Sequence, residues 1–165
     1  MKNKRTIMLV FFTVLFIGLV AGLFYAYSCS VNIGLNKLSD KEYLNAMQSI
    51  NSAIQNPIFF LTFMGLLILF PITSYQLYQN QTNAFGLFIA AMGIYFVCVF
   101  GVTIFGNVPL NEQLANFSIQ TETENEIALM RQTFEKPWNA FHSIRTVASI
   151  ISFASVILFI LRQKV

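Results

Sequence analysis

The run from Ile7 to Tyr27, which contains no charged side chain, constrains this chain more than any other feature. A helix of about 20 apolar residues is what a hydrocarbon core of ~30 Å requires. Three further stretches of similar length and apolarity follow, at about 57–78, 84–105 and 137–161. In lipid every backbone N–H and C=O must be paired inside the protein, so runs like these fold as helices. The expected fold is all-α: an integral membrane four-helix bundle, a single domain over 1–165, with two extramembrane helical segments on its outer side. A hydrophobic fraction of 56%, charged residues at 10% and 18 phenylalanines exceed the needs of a soluble core.

Charge and cysteine usage exclude several classes. The formal net charge of +3 invites a nucleic-acid reading, yet the bases form no dense patch and no motif interleaves them with aromatics, so no nucleic acid is expected as a partner. Cys29 and Cys98 make no disulfide framework, because the first sits at the outer end of the first span and the second well inside the third. With no C-x-x-C pair and a single histidine, a metal centre has too few ligands. A basic start, an apolar run and Cys29 also resemble a lipoprotein signal, but the run is longer than a signal core and bulky Tyr27 occupies the processing site.

Between the spans the chain carries its own punctuation. Gly18 and Gly22 form a small-xxx-small pair suited to close helix approach. Ser39-Asp40-Lys41-Glu42 is a capping box, after which Tyr43, Leu44, Met47, Ile50 and Ile54 recur at helical spacing. The helix they define is too short and polar to span, so it lies on the membrane or caps the bundle. Asn56-Pro57 reads as an N-cap and first helical residue of the second span, with Pro71 a kink near its far end. The short Tyr78 to Asn83 connection makes the second and third spans antiparallel neighbours. Pro109, in Asn107-Val108-Pro109-Leu110-Asn111, is expected to stop the third helix. Thr121-Glu122-Thr123-Glu124 reads as a second capping box opening a short helix over Glu122 to Glu135, and a separate fourth helix is expected to start near Pro137.

Orientation follows from the bases. Lys2, Lys4, Arg5, Arg162 and Lys164 flank the membrane on one side, while all seven acids fall in the longer segments of the other. The positive-inside rule then places both termini in the cytoplasm. On that topology Asn56, Asn107, Asn111, Trp138, Asn139, His142 and Arg145 converge at the outer end of the bundle, with Tyr25 and Tyr27 at the same level. Interface anchoring explains tyrosines and tryptophan equally well, and helix capping explains asparagines.

The fourth span carries a further signal. Trp138, His142, Arg145, Ser149 and Ser152 follow at steps of four and three, which on a helix is one stripe. Polar side chains on the inward face of a membrane helix mark functional positions. A cation one turn from His142 favours the neutral imidazole that a general base needs, and can hold the anion that proton removal leaves. Glu135 and Glu112 are the carboxylates available to orient the imidazole. Nothing matches a nucleophile elbow, a phosphate-binding glycine loop or a paired-carboxylate site.

The chain also resembles a known family. Gly22-Leu23-Phe24-Tyr25-Ala26-Tyr27-Ser28, Met47-Gln48-Ser49-Ile50-Asn51, Asn56-Pro57, Asn107-Val108-Pro109-Leu110-Asn111, Trp138-Asn139 and Arg145-Thr146 together look like the anthrone oxygenase-like family of small four-span membrane proteins. Phe141 departs from it, standing where a second tryptophan or similar aromatic is expected. The resemblance implies oxidation of a lipophilic aromatic by molecular oxygen without metal or flavin. It implies His142 as base, Arg145 and Asn107 holding the developing oxyanion, and Trp138, Phe141 and Tyr25 lining a ring pocket, with Asn56 and Asn139 as further contacts. The competing reading is a non-catalytic membrane protein that binds a lipophilic small molecule or a partner helix. A transporter is the third, since four spans without a repeat would need a homo-oligomer to alternate access.

Overall fold

The computed structural model describes residues 4–163, so Lys2 and Lys164, used above for orientation, lie outside the described residues. Five helices make up the described chain: α1 (Lys4–Leu35), α2 (Asp40–Ala53), α3 (Pro57–Gln79), α4 (Phe85–Ala115) and α5 (Glu124–Leu161). All but α2 are long and apolar enough to cross a membrane, and the protein is an integral membrane protein. They close a ring in which α1 packs on α3 and α5, α5 on α1 and α4, and α3 on α4 beside their short loop.

Lipid tails are as apolar as leucine, so helices inside a bilayer associate through close packing and hydrogen bonds rather than through the hydrophobic effect. Both are present here. Thr13 and Thr73 share a buried hydrogen bond of 3.1 Å between α1 and α3, and the Ser152 hydroxyl donates to the Ala91 carbonyl at 2.8 Å between α5 and α4. The Tyr95 hydroxyl donates to the Phe63 carbonyl at 2.7 Å, tying α4 to α3. Of the Gly18/Gly22 pair only Gly18 serves close packing: a Cβ there would meet the Phe153 ring at 3.2 Å, whereas Gly22 faces open space.

Outside the spans a second apolar core forms, where burial from water does drive folding. Leu44 and Met47 of α2 are fully buried with Leu114 of α4 and Phe134 of α5, and burying each such side chain stabilises by roughly 1.5–3 kcal/mol. The expected Ser39–Glu42 capping box is present. Arg131 fixes α2 to α5, donating to Asp40 at 2.9 Å and to the Leu38 carbonyl at 2.8 Å while lying over the Tyr43 ring. Of the two placements expected for this helix, α2 takes the second and caps the bundle.

Two expected breaks are absent. α4 runs through Pro109, because the preceding turn, Thr103–Asn107, is π-helical and the Val108 N–H reaches back to the Thr103 carbonyl. Pro109 then falls in the first turn of the α-helical end piece, where a missing N–H costs least. α5 is likewise a single helix of 38 residues across Pro137, about 57 Å long at 1.5 Å per residue, so its first turns stand clear of the membrane. Phe134 and Trp138, buried on either side of Pro137, hold it through an interior proline that costs ~3 kcal/mol. Its cap is Thr123 with Glu126, two residues later than the box read from the sequence. α3 likewise continues past Pro71.

Candidate functional site

α5 places its stripe inward: Trp138, His142, Arg145, Ser149 and Ser152 are all buried. The Trp138 and His142 rings stack at 5.2 Å and 15°. Phe134 continues the stack at 6.3 Å from Trp138, and the indole N–H donates to Asn111 Oδ1 at 2.7 Å, fixing the ring plane. Phe24 and Tyr27 of α1 meet the imidazole edge-on at 5.8 and 5.0 Å.

Hydrogen bonds fix the imidazole. Nδ1 accepts from Arg145, with Nε at 3.3 Å and the second guanidinium nitrogen at 3.2 Å. Nε2 faces the hydroxyls of Ser28 at 2.9 Å and Thr146 at 3.4 Å. A nitrogen that accepts from a guanidinium carries no proton of its own, so the tautomer is Nε2–H, donating toward Ser28. The lone pair a general base would use is thereby committed to Arg145. In this geometry Nδ1 orients the cation, while Nε2 is held between the Ser28 and Thr146 hydroxyls. Glu135 does not orient the imidazole, because it accepts from Arg131 at 2.7 Å.

Arg145 is the unusual member. It is 9% exposed, its guanidinium lies over Phe24 at 4.6 Å and Trp138 at 5.2 Å, and among the described residues no carboxylate stands within salt-bridge reach. Cation–π contacts and one neutral acceptor offset only part of the cost of removing a charge from water. The group lines a cavity of about 650 Å³, together with Trp138 and His142, within the usual ~300–1,000 Å³ of ligand pockets. Phe24, Tyr27, Phe59 and Phe63 form its aromatic wall, and Asn111, Glu112, Gln48 and Asn51 its polar edge. No group of three His, Cys, Asp or Glu side chains converges among the described residues.

Of the base, anion-holding and ring-contacting residues expected from the family resemblance, Trp138, His142 and Arg145 reach the cavity and the others do not. Tyr25 is 58% exposed. Phe24, Tyr27 and Ser28 share the inward face of α1 at positions i, i+3 and i+4, and Tyr25, one residue from Phe24, points about 100° away. Asn56 is consumed as the α3 cap, accepting from the Ile58 and Phe59 amides. Asn107 is fully buried and donates to the Trp138 carbonyl at 3.2 Å, bracing α4 against α5, while its Oδ1 is buried without a partner. Phe141 packs on Gly106, and Asn139 is half-buried with an unpartnered Oδ1.

Sequence reasoning left out Ser28, Thr146 and Asn51 as site residues. Asn51 was visible in principle: it lies on the buried face of α2, eight residues after Tyr43 and four after Met47, where an apolar side chain is expected. Its Nδ2 is buried without a partner at the cavity edge.

The anthrone oxygenase family model matches residues 59–155, which is α3, α4 and most of α5. That range holds Trp138, His142, Arg145, Asn111 and Glu112, whereas α1 and α2, which contribute Phe24, Tyr27 and Asn51, lie before it. No curated protein and no solved structure matches the chain.

Proposed function

The chain belongs to the anthrone oxygenase family, and from that premise we propose that it oxidises a lipophilic, anthrone-like aromatic with molecular oxygen, using its own side chains to hold the substrate anion. One observation carries the reading: Arg145, a buried cation with no carboxylate in salt-bridge reach among the described residues, lines an aromatic-walled cavity. A cation fixed in a low-dielectric site before reaction stabilises an anion that forms there, without reorganisation cost.

The chemistry balances with oxygen as the oxidant. The substrate's ring CH2 loses a proton to give an enolate-type anion. That anion adds O2 at the ring carbon, the resulting peroxide anion takes back the proton to give a hydroperoxide, and loss of water across the new C–O–OH and the remaining C–H leaves a quinone carbonyl. Arg145 holds the enolate oxygen, and Trp138 and Phe24 bracket the flat ring. Glu112, a residue that lines the same cavity, accepts the first proton. His142 is a positioning residue that holds Arg145 in register. Both termini are assigned to the cytoplasmic side, which puts the cavity under the outer cap. In support, Lys4, Arg5 and Arg162 lie at the inner end and all seven acids in the outer segments.

Oxygen uptake by the purified protein in lipid nanodiscs with a hydroxyanthrone tests this. Arg145→Gln should lower kcat about 100-fold or more. Glu112→Gln should lower kcat by removing the proton acceptor, and His142→Gln should lower kcat with little change in KM. Uptake by wild-type protein no faster than in empty nanodiscs overturns the reading.

A further inference from the structure

The cavity has two rims of opposite character. Gln55, Ser52 and Glu112 are cavity-lining residues exposed at the outer, polar edge. On the other side Phe60 and Met64 of α3 and Ile104 of α4 also line it, and they are 43%, 42% and 39% exposed. A residue that both lines a cavity and is exposed forms part of its mouth. These three are apolar and lie on membrane-crossing helices, so this mouth faces hydrocarbon. Phe63, which lines the cavity beside Phe60 and Met64, is held in place by the Tyr95 hydroxyl on its carbonyl and by ring contacts to Tyr95 at 6.0 Å and Phe100 at 5.8 Å.

Arg145 lines the same cavity from α5, over the Phe24 ring of α1. A bound molecule reaching from Arg145 to the apolar mouth is acidic at one end and apolar at the other. We propose that the site takes a membrane-dissolved amphiphile: an aromatic ring bearing an ionised acidic group held by Arg145, and an alkyl chain that leaves between α3 and α4 into the bilayer. The unpartnered Asn51 amide, 8% exposed, supplies a hydrogen-bond donor for an oxygen on the ring. Such a molecule reaches the site from the bilayer without crossing water, and neutral or tail-free aromatics are poorer ligands. The inference rests on the reading above, that this cavity holds the substrate.

Trp138 is the sole tryptophan and lines the cavity, so energy transfer from it to an anthracene ring reports occupancy directly. The probes are an anthroyloxy-labelled palmitic acid with its ring beside the carboxyl, the methyl ester of that acid, and anthracene carboxylic acid without a tail. Binding is measured to full-length protein in phosphatidylcholine nanodiscs at a pH where the carboxyls are ionised. The tailed acid should bind about tenfold tighter than its ester. Arg145→Gln should abolish that preference and Arg145→Lys should retain it. Met64→Phe with Ile104→Phe, both at the lipid-exposed mouth, should weaken the tailed acid and leave the tail-free acid unchanged.

Equal binding of acid and ester to the wild type overturns the acidic head, as does a preference that survives Arg145→Gln in a protein of unaltered unfolding temperature. Equal effects of the mouth substitutions on tailed and tail-free acids overturn the lateral exit. Binding as stated without oxygen uptake on any anthrone keeps this inference and removes the oxygenase reading. Oxygen uptake with no acid preference does the reverse.

Discussion

Gly106→Ala tests how the site is framed. A Cβ on Gly106 would stand 2.7 Å from Cγ of Phe141 and 2.9 Å from both Cδ atoms. Carbon atoms settle at about 3.5–4.0 Å, so the ring and the new methyl must separate by roughly 0.8–1.3 Å. Contact with Cγ, the root of the ring, means that turning the ring about its Cβ–Cγ bond cannot clear it. Either Phe141 must leave its packed χ1 rotamer or α4 and α5 must move apart at this level. Overpacking of this kind costs about 1–3 kcal/mol, while replacing a helical glycine by alanine returns at most ~1 kcal/mol. The steric cost wins, and a net loss of about 1–2 kcal/mol is expected. Unfolding in nanodiscs, followed by Trp138 emission, measures it. Phe141→Ala destabilises by itself, but Gly106→Ala added to it should cost nothing further. A Gly106→Ala protein as stable as wild type, or an equal loss whether or not Phe141→Ala is also present, would refute the reasoning.

Two smaller outcomes follow from the helix contacts. Thr13→Val or Thr73→Val alone leaves a buried hydroxyl facing an apolar group and should cost about 1 kcal/mol or more, whereas the double substitution should cost less than the sum of the two; additive unfolding energies would show that the bond contributes nothing. At the α2 cap, hydrogen bonds from Ser39 to Glu42, from Oγ at 2.7 Å and N at 3.1 Å, hold the Glu42 carboxyl below its usual range. A depressed carboxylate contributes stability that is complete above its ordinary value and is lost as pH falls through the lowered one. Amide exchange in the first turn of α2, corrected for intrinsic rates, should accelerate across that acid window, and Glu42→Gln should flatten the dependence.

Much of the architecture was legible because its causes are local. Span length is set by bilayer thickness, and the α2 cap by a serine three residues before a glutamate. The stripe from Trp138 to Ser152 was legible for the same reason, since steps of four and three fix one helix face whatever surrounds it. Pro109 and Pro137 misled because a proline penalty of ~3 kcal/mol is a local quantity. Here it is offset by a π-helical turn before Pro109 and by the buried rings of Phe134 and Trp138 around Pro137.

By itself, then, the sequence determined an all-helical membrane protein with four spans, an extramembrane cap and an inward stripe holding Trp138, His142 and Arg145. Only the tertiary structure decided what those groups meet. Which carboxylate lies near a buried arginine depends on how helices distant in the chain pack, and none of the seven acids reaches Arg145. Packing likewise turned His142 Nδ1 onto the guanidinium, put Tyr27 and Ser28 in the place expected for Tyr25, and brought Asn51 over the cavity from a helix outside the membrane. Side-chain identity fixes the chemistry a residue offers, but only the three-dimensional neighbourhood fixes which lone pair or charge is left for a ligand.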